Sequence, residues 1–321
     1  MSKYSLIDIP HAVPVRTYDD ELTRMAEWLL QFPQVCSIYQ IGSVGAPGIS
    51  DLDMVVVFHG DQKMEVQPLD SLSVSGKYLF IHNLYGCSKH QFEQGRKFSF
   101  FGSFKQLAGE KLDSPAQLTI TDTALKKQIA LEFLLKMYVN LVLQREYKTL
   151  KVRSLLLHVK GLLFDLEFLG VHSGLLHGLI HECMDIRQQW FNRDNPARTL
   201  MSWFDVFLPA LSEFLARELS RHTLYVSPSS SLRLARNIRL NKSTVLRYKR
   251  TGLPVPFATA LFGKNIHKAM NRLNRFRIDC PFQQETIPVE VQEYFNFVDT
   301  CRKYNQTYLP HFYTLSSSLH V

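Results

Sequence analysis

Sixty consecutive positions of this 321-residue chain, 219 to 278, hold no aspartate or glutamate. Lysine and arginine number 13 over the same span, where the chain's average acid content would place about five acids. The whole chain is also basic, with a formal net charge of +8. A surplus of this sign favours anionic partners such as nucleotides, nucleic acids or acidic surfaces, without choosing among them. Long apolar runs are missing too: nowhere do 18 uncharged apolar residues follow one another, so no membrane-spanning helix is expected. Cysteine is sparse, with five scattered residues (Cys36, Cys87, Cys183, Cys280, Cys301) and no CxxC pair. That odd number argues against a disulfide framework and for free thiols in a reducing compartment. Asp8 and Pro10 interrupt the N-terminal stretch, which excludes a signal peptide of the usual form. A cytoplasmic protein is the expectation. No low-complexity tract or long repeat is present. Neither GxGxxG nor the Walker A pattern GxxxxGK[ST] occurs, which sets aside a dinucleotide fold and a P-loop.

What is present is an ordinary globular composition, 45% hydrophobic and 21% charged, at a length that suits two or three domains. Leu22, Met25, Ala26, Leu29 and Leu30 fall at helical spacing and predict a helix from Tyr18 to Phe32, with Thr17, Asp19 and Asp20 at its start and Pro33 ending it. Val35–Ile41 reads as a strand. Leu52–Phe58 reads as a second, buried on both faces because its apolar run is nearly continuous. Lys77–Leu84 reads as a third. From about Asp122 the pattern becomes helical, over 123–147, 149–170, 173–191 and 197–222, and the short breaks predict antiparallel neighbours in a four-helix bundle. Beyond Thr223 a loop with one or two strands is expected, then an extended LPVPF, a basic helix Lys264–Arg277 and a last helix over 288–306. The fold class is α+β: a mixed sheet flanked by helices (1–122), an antiparallel helical bundle (123–222) and a basic C-terminal region (223–321).

Chemistry concentrates in Tyr39–Phe58, YQIGSVGAPGISDLDMVVVF. Side chains alternate along a strand, so Asp51 and Asp53 point to one face and Leu52 and Met54 to the other. Paired carboxylates suit a hard divalent cation that also takes phosphate oxygens. Gly42 lets backbone approach a phosphate, and Ser43 offers a hydroxyl and an N–H to it.

Gly-Ser, a short loop, then Asp-hydrophobic-Asp-hydrophobic at the head of an apolar strand resembles the signature of the polymerase-beta-like nucleotidyltransferase superfamily. The order of helix, strand, Gly-Ser and strand extends the likeness over about residues 18–85. The resemblance implies that Gly42 and Ser43 hold a nucleoside triphosphate and that Asp51 and Asp53 are catalytic ligands of Mg²⁺ or Mn²⁺. It implies transfer of a nucleotidyl group, AMP from ATP, onto an acceptor hydroxyl of a small molecule, a protein or RNA, with release of pyrophosphate. The chain departs from the family in two ways. The loop VGAPGIS is shorter than in many members. Where many carry a third acid on a later strand, this chain offers His82 and Asn83, leaving Glu65 and Glu93 as other sources of an acid. A catalytically silent protein that binds nucleotide or nucleic acid through its basic C-terminal region is the alternative. An assembly subunit in which the two aspartates are incidental is a third reading.

Other groups read less sharply. His177 and His181 share a helix face and, with Glu182 or His172, form half a zinc site. Glu132, Glu167 and Glu182 lie on helices and are candidate bases. The basic stretch 221–277, with Tyr248 and Phe276 interleaved, is either a surface for a polyanion such as RNA or DNA or a solvated face paired with acids elsewhere.

Overall fold

The structure is a computed structural model and describes residues 3–95, 98, 104–112, 122–252 and 262–316. Along the chain come strand β1 (Ser5–Ile7), helix α1 (Val15–Leu29), strands β2 (Val35–Ile41) and β3 (Asp53–Phe58), helix α2 (Val74–Leu79), strand β4 (Tyr85–Ser88), helix α3 (Lys89–Gly95) and strand β5 (Phe104–Gly109). A helical stretch follows: α4 (Thr123–Glu146), a short strand β6 (Thr149–Lys151), α5 (Val152–His158), α6 (Leu162–Phe168), α7 (Leu175–Gln188) and α8 (Pro196–Arg221). Then come β7 (Arg233–Ala235), β8 (Ile238–Lys242), β9 (Arg247–Gly252), α9 (Ile266–Leu273), β10 (Asn274–Cys280), α10 (Val289–Tyr308) and β11 (Tyr313–Thr314). The chain is thus mixed α and β, with mixed sheets flanked by helices. No helix among the described residues is long and apolar enough to cross a membrane. All five cysteines are free and buried.

Two compact units are present, Ala12–Thr121 with Glu293–Ser317, and Met1–His11 with Asp122–Gln292 and Ser318–Val321. In the first, a five-stranded sheet runs in the order β11-β4-β3-β2-β5. β2 is antiparallel to both β3 and β5, while β3 and β4 run parallel. β3 sits in the middle and is buried on both sides, as its apolar run predicts. Met54, Val56 and Phe58 pack with Tyr18, Leu22, Met25 and Leu29 of α1, and Val55 and Val57 pack with Tyr39, Cys87 and Phe92. The segment 293–317 returns to this unit and adds β11 beside β4. Asn305 Nδ2 ties the return by donating to the carbonyls of Gly86 (3.1 Å) and Tyr313 (3.1 Å). A Cβ on Gly86 would stand 2.8 Å from Phe312 Cβ, so glycine is what lets β4 come this close.

In the second unit β7-β8-β10-β9 form a four-stranded sheet and β1 pairs in parallel with β6. Helix α4 packs against α6 and α8, and α7 against α8.

Several expected boundaries move. Helix α1 starts at Val15, behind Pro14, with no side-chain cap, and it closes at Leu29, ahead of Pro33. Residues 77–84 are not a strand. Ser73 Oγ accepts from Gly76 N (2.9 Å) and caps α2, and this local bond prevails over the β-rich composition, so the strand begins only at Tyr85. The helix expected over 149–170 breaks into β6, α5 and α6. The basic helix stops at Leu273. Asn274–Cys280 is a strand between β8 and β9, with Phe276 and Ile278 turned inward and Arg275 and Arg277 outward. That alternation is a period-two pattern set inside a helical-looking stretch. LPVPF, residues 253–257, lies outside the described residues.

Candidate metal and nucleotide site

The loop 42–52 joins two neighbouring antiparallel strands, so its two ends meet. Ile41 pairs with Asp53, which brings Gly42-Ser43 to the sheet end where β3 begins. Gly42 has φ +74, a left-handed conformation that glycine adopts without a Cβ penalty, and Ser43 is exposed. The rest of the loop is tied down. Gly48 N donates to Tyr18 Oη (2.8 Å), whose own hydroxyl donates to Ser50 O (2.9 Å). Tyr78 Oη donates to Gly48 O, Ala46 N to Ser50 Oγ (3.1 Å), and Leu52 N to Leu79 O (3.0 Å). Asp51 therefore leaves a clamped turn and Asp53 opens a buried strand.

Asp51, Asp53 and His82 each bring a ligand atom to a common point, with all three atoms within 4.8 Å of one another. His82 Nε2 lies 2.9 Å from Asp53 Oδ1, and Nδ1 lies 2.8 Å from the carbonyl of Asn83. Both ring nitrogens thus face acceptors, which suits a doubly protonated ring when no cation is bound. Burial opposes that charge. The bond and charge of Asp53, the Asn83 carbonyl and the charge of Asp51 outweigh it, and the His82 pKa is raised. Tyr313 stacks on the imidazole at 5.4 Å and Tyr85 meets it edge-on at 5.4 Å, which fixes the ring plane. Burial, then the charges of Asp53 and Asp51, push the Tyr85 phenol well up, so it stays protonated beside them.

Asp53 Oδ1 is buried, and His82 Nε2 at 2.9 Å is the partner it has in place of a cation. Buried carboxylate oxygens of this kind need a partner. Two carboxylates and an imidazole converging there are a donor set for a divalent cation, and the nitrogen donor suits Mn²⁺ as well as Mg²⁺.

The other expected residues sit elsewhere. Glu65 is exposed and paired with Lys63 (2.6 Å), and Glu93 is exposed on α3. Neither joins the cluster, whose third residue is His82. His177 and His181 approach to 4.5 Å between ring centres, but among the described residues they belong to no group of three possible ligands. Glu132 is buried and accepts from Gln128 Nε2 (2.7 Å), while Glu167 and Glu182 are exposed. A second three-ligand group, Cys36, His59 and Glu110, is weaker. Burial, and then Glu110, push the Cys36 thiol up to about 11, which disfavours the thiolate a metal needs. In the basic stretch Phe276 is buried, and Tyr248 donates from Oη to Glu146 Oε1 (2.9 Å) while the Arg145 guanidinium lies over its ring at 5.3 Å. No family model, curated protein or solved structure matches the chain.

Proposed function

We propose that this protein is a metal-dependent nucleotidyltransferase of the polymerase-beta-like kind, moving AMP from ATP onto an acceptor hydroxyl. The observation that carries this reading is the convergence of Asp51, Asp53 and His82 at the sheet end that also receives Gly42-Ser43. Asp51 and Asp53 would hold Mg²⁺ or Mn²⁺, with His82 in the place of a third acid. When bound, the cation neutralises phosphate charge and stabilises the leaving pyrophosphate. Gly42 and the Ser43 hydroxyl and N–H would cradle the triphosphate. The acceptor oxygen forms its bond to the α-phosphorus as the bond from that phosphorus to the β-phosphate oxygen breaks, the hydroxyl proton passes to solvent water, and the clamped loop supplies positioning rather than covalent chemistry. Residues 123–222 are read in the same proposal as an antiparallel helical bundle following this core. The acceptor is a small molecule, a protein side chain or an RNA end.

A second reading, a silent nucleotide-binding protein, is favoured by one contact. His82, facing acceptors from both ring nitrogens, already neutralises Asp53. The two separate by turnover. With each labelled nucleoside triphosphate and Mg²⁺ or Mn²⁺, the enzyme reading predicts pyrophosphate release that falls at least about a hundredfold in Asp51→Asn and in Asp53→Asn, as loss of transition-state charge stabilisation requires. Release that survives both changes sinks the assignment. Metal-dependent nucleotide binding without release supports the silent reading.

A further inference from the structure

The sheet β7-β8-β10-β9 carries a row of like charges that the nucleotidyltransferase reading does not use. Arg233 stands opposite Arg239, Arg239 opposite Arg277, and Arg277 opposite Lys249, so a single cross-strand row holds four cations. All four are exposed, on the face opposite the inward Ile238, Leu240, Phe276 and Ile278. Strand spacing makes the row about 14 Å long. Arg236 and Arg275 join these four in lining one cleft of about 560 Å³, within the size range of small-ligand sites. Like charges directly opposite one another destabilise a sheet, so this face carries a cost that an anion would relieve. Among the described residues little relieves it. Asp279 pairs with Arg277 (2.9 Å), and Arg275 donates to the carbonyl of Arg272 (3.1 Å). Arg233, Arg236, Arg239 and Lys249 make no ion pair among the described residues. The cations on the inward face are handled differently: Arg250 lies 3.5 Å from Glu146.

We propose that this cleft is a binding site for an oligophosphate, a small ligand carrying several linked phosphate groups. Guanidinium groups in a fixed fork match phosphate oxygens in pairs. Among the described residues the lining holds one aromatic, Phe276, which is buried at 3% exposure, so those residues offer no platform for stacking the bases of a single strand. A duplex spreads its charge along its axis and calls for a surface that tracks it. Six cations gathered in one cleft match concentrated charge instead. Inorganic polyphosphate and the phosphate tail of a nucleoside polyphosphate share this chemistry.

The test is calorimetric titration of the full chain with inorganic tripolyphosphate in EDTA, which silences the metal site. Expected is one site whose affinity falls at least tenfold in Arg239→Gln and in Lys249→Gln, is unchanged in Arg272→Gln outside the cleft, and weakens as salt rises. Asp53→Asn should bind like the wild type, which separates this site from the proposed nucleotide site. A nucleoside tetraphosphate arm tells the two sources apart: tighter binding than tripolyphosphate assigns a nucleotide, equal binding the bare chain. Absence of binding overturns the proposal. So does equal binding by folded Arg239→Gln and Lys249→Gln, checked by thermal melting. Binding of an RNA duplex that these variants abolish, with none of tripolyphosphate, overturns it in favour of a nucleic-acid surface.

Discussion

At the scale of single residues, His82 decides how the site behaves. Its Nε2 can hold a proton or a cation, not both. The proton is held by Asp53 and Asp51 against burial, so the group titrates above its ordinary value of 6.5. Cation binding is therefore weakest at low pH and strengthens as pH rises through that raised pKa. We expect Mn²⁺ affinity to gain about tenfold per pH unit below it, the signature of one displaced proton, and then to level off. Titration of the protein with Mn²⁺, followed by electron paramagnetic resonance at several pH values, reads this directly. His82→Gln should flatten the dependence, and His82→Asp should move the preference from Mn²⁺ towards Mg²⁺, because an all-oxygen set suits the harder ion. A slope that persists in His82→Gln assigns the proton to another group. Asp51 and Asp53 stand out in the sequence by their two-residue spacing at the head of an apolar strand, and although Asp51 lies in the loop before β3 its ligand atom comes within 4.8 Å of that of Asp53. His82 was legible only as the residue occupying a missing acid's place. Its approach to Asp53 depends on α2 ending at Leu79 and an extended segment carrying residues 80–84 back beside β3, and the cap at Ser73 that sets this up has no distinctive spacing.

At the scale of elements, the sequence spoke clearly where one period dominated. β2 and β3 stand within a residue of their expected bounds, β2 because its composition is β-rich and β3 because its unbroken apolar run after Asp53 leaves few alternatives to a central strand. β10 was hidden. Its alternation of Arg275, Phe276, Arg277 and Ile278 follows directly on α9, so a helical reading runs on through it. β11 is two residues long and has no signal of its own. It exists because Asn305 and the close approach at Gly86 hold the return segment to β4. The cation row on the second sheet makes an element-scale prediction of opposite sign to most substitutions. Arg239→Gln removes one charge from between Arg233 and Arg277, and we expect it to raise stability by about 0.2–1 kcal/mol in urea unfolding at low salt. The gain should shrink as salt screens the row. Destabilisation instead would mean that the Arg239 side chain contributes packing that outweighs the repulsion.

At the scale of the whole molecule, the buried His267 of the second unit should make part of the stability depend on acid. His267 is held down to about 4, first by burial and then by Lys151, against a carbonyl contact with Thr149. The unfolded chain takes its proton near 6.5, the folded chain only near 4. Stability from the neutral ring is therefore complete above 6.5 and is lost progressively as pH falls to about 4. The loss should reach the order of 3 kcal/mol at one proton per site. Denaturant unfolding at pH 7 and pH 4.5 measures it, and His267→Gln should lose less over that interval. Neither this group nor the division of the chain into units could be read from composition, because both depend on contacts between distant segments.

The proposed transfer needs a cation held between Asp51 and Asp53 with a triphosphate beside Gly42-Ser43. Diffraction from crystals soaked with Mn²⁺ and a non-hydrolysable ATP analogue tests that most directly. An anomalous manganese peak shared by both carboxylates, with the phosphates on the Gly42-Ser43 turn, is the predicted result. Manganese and nucleotide bound elsewhere, with His82 still paired to Asp53, would contradict it.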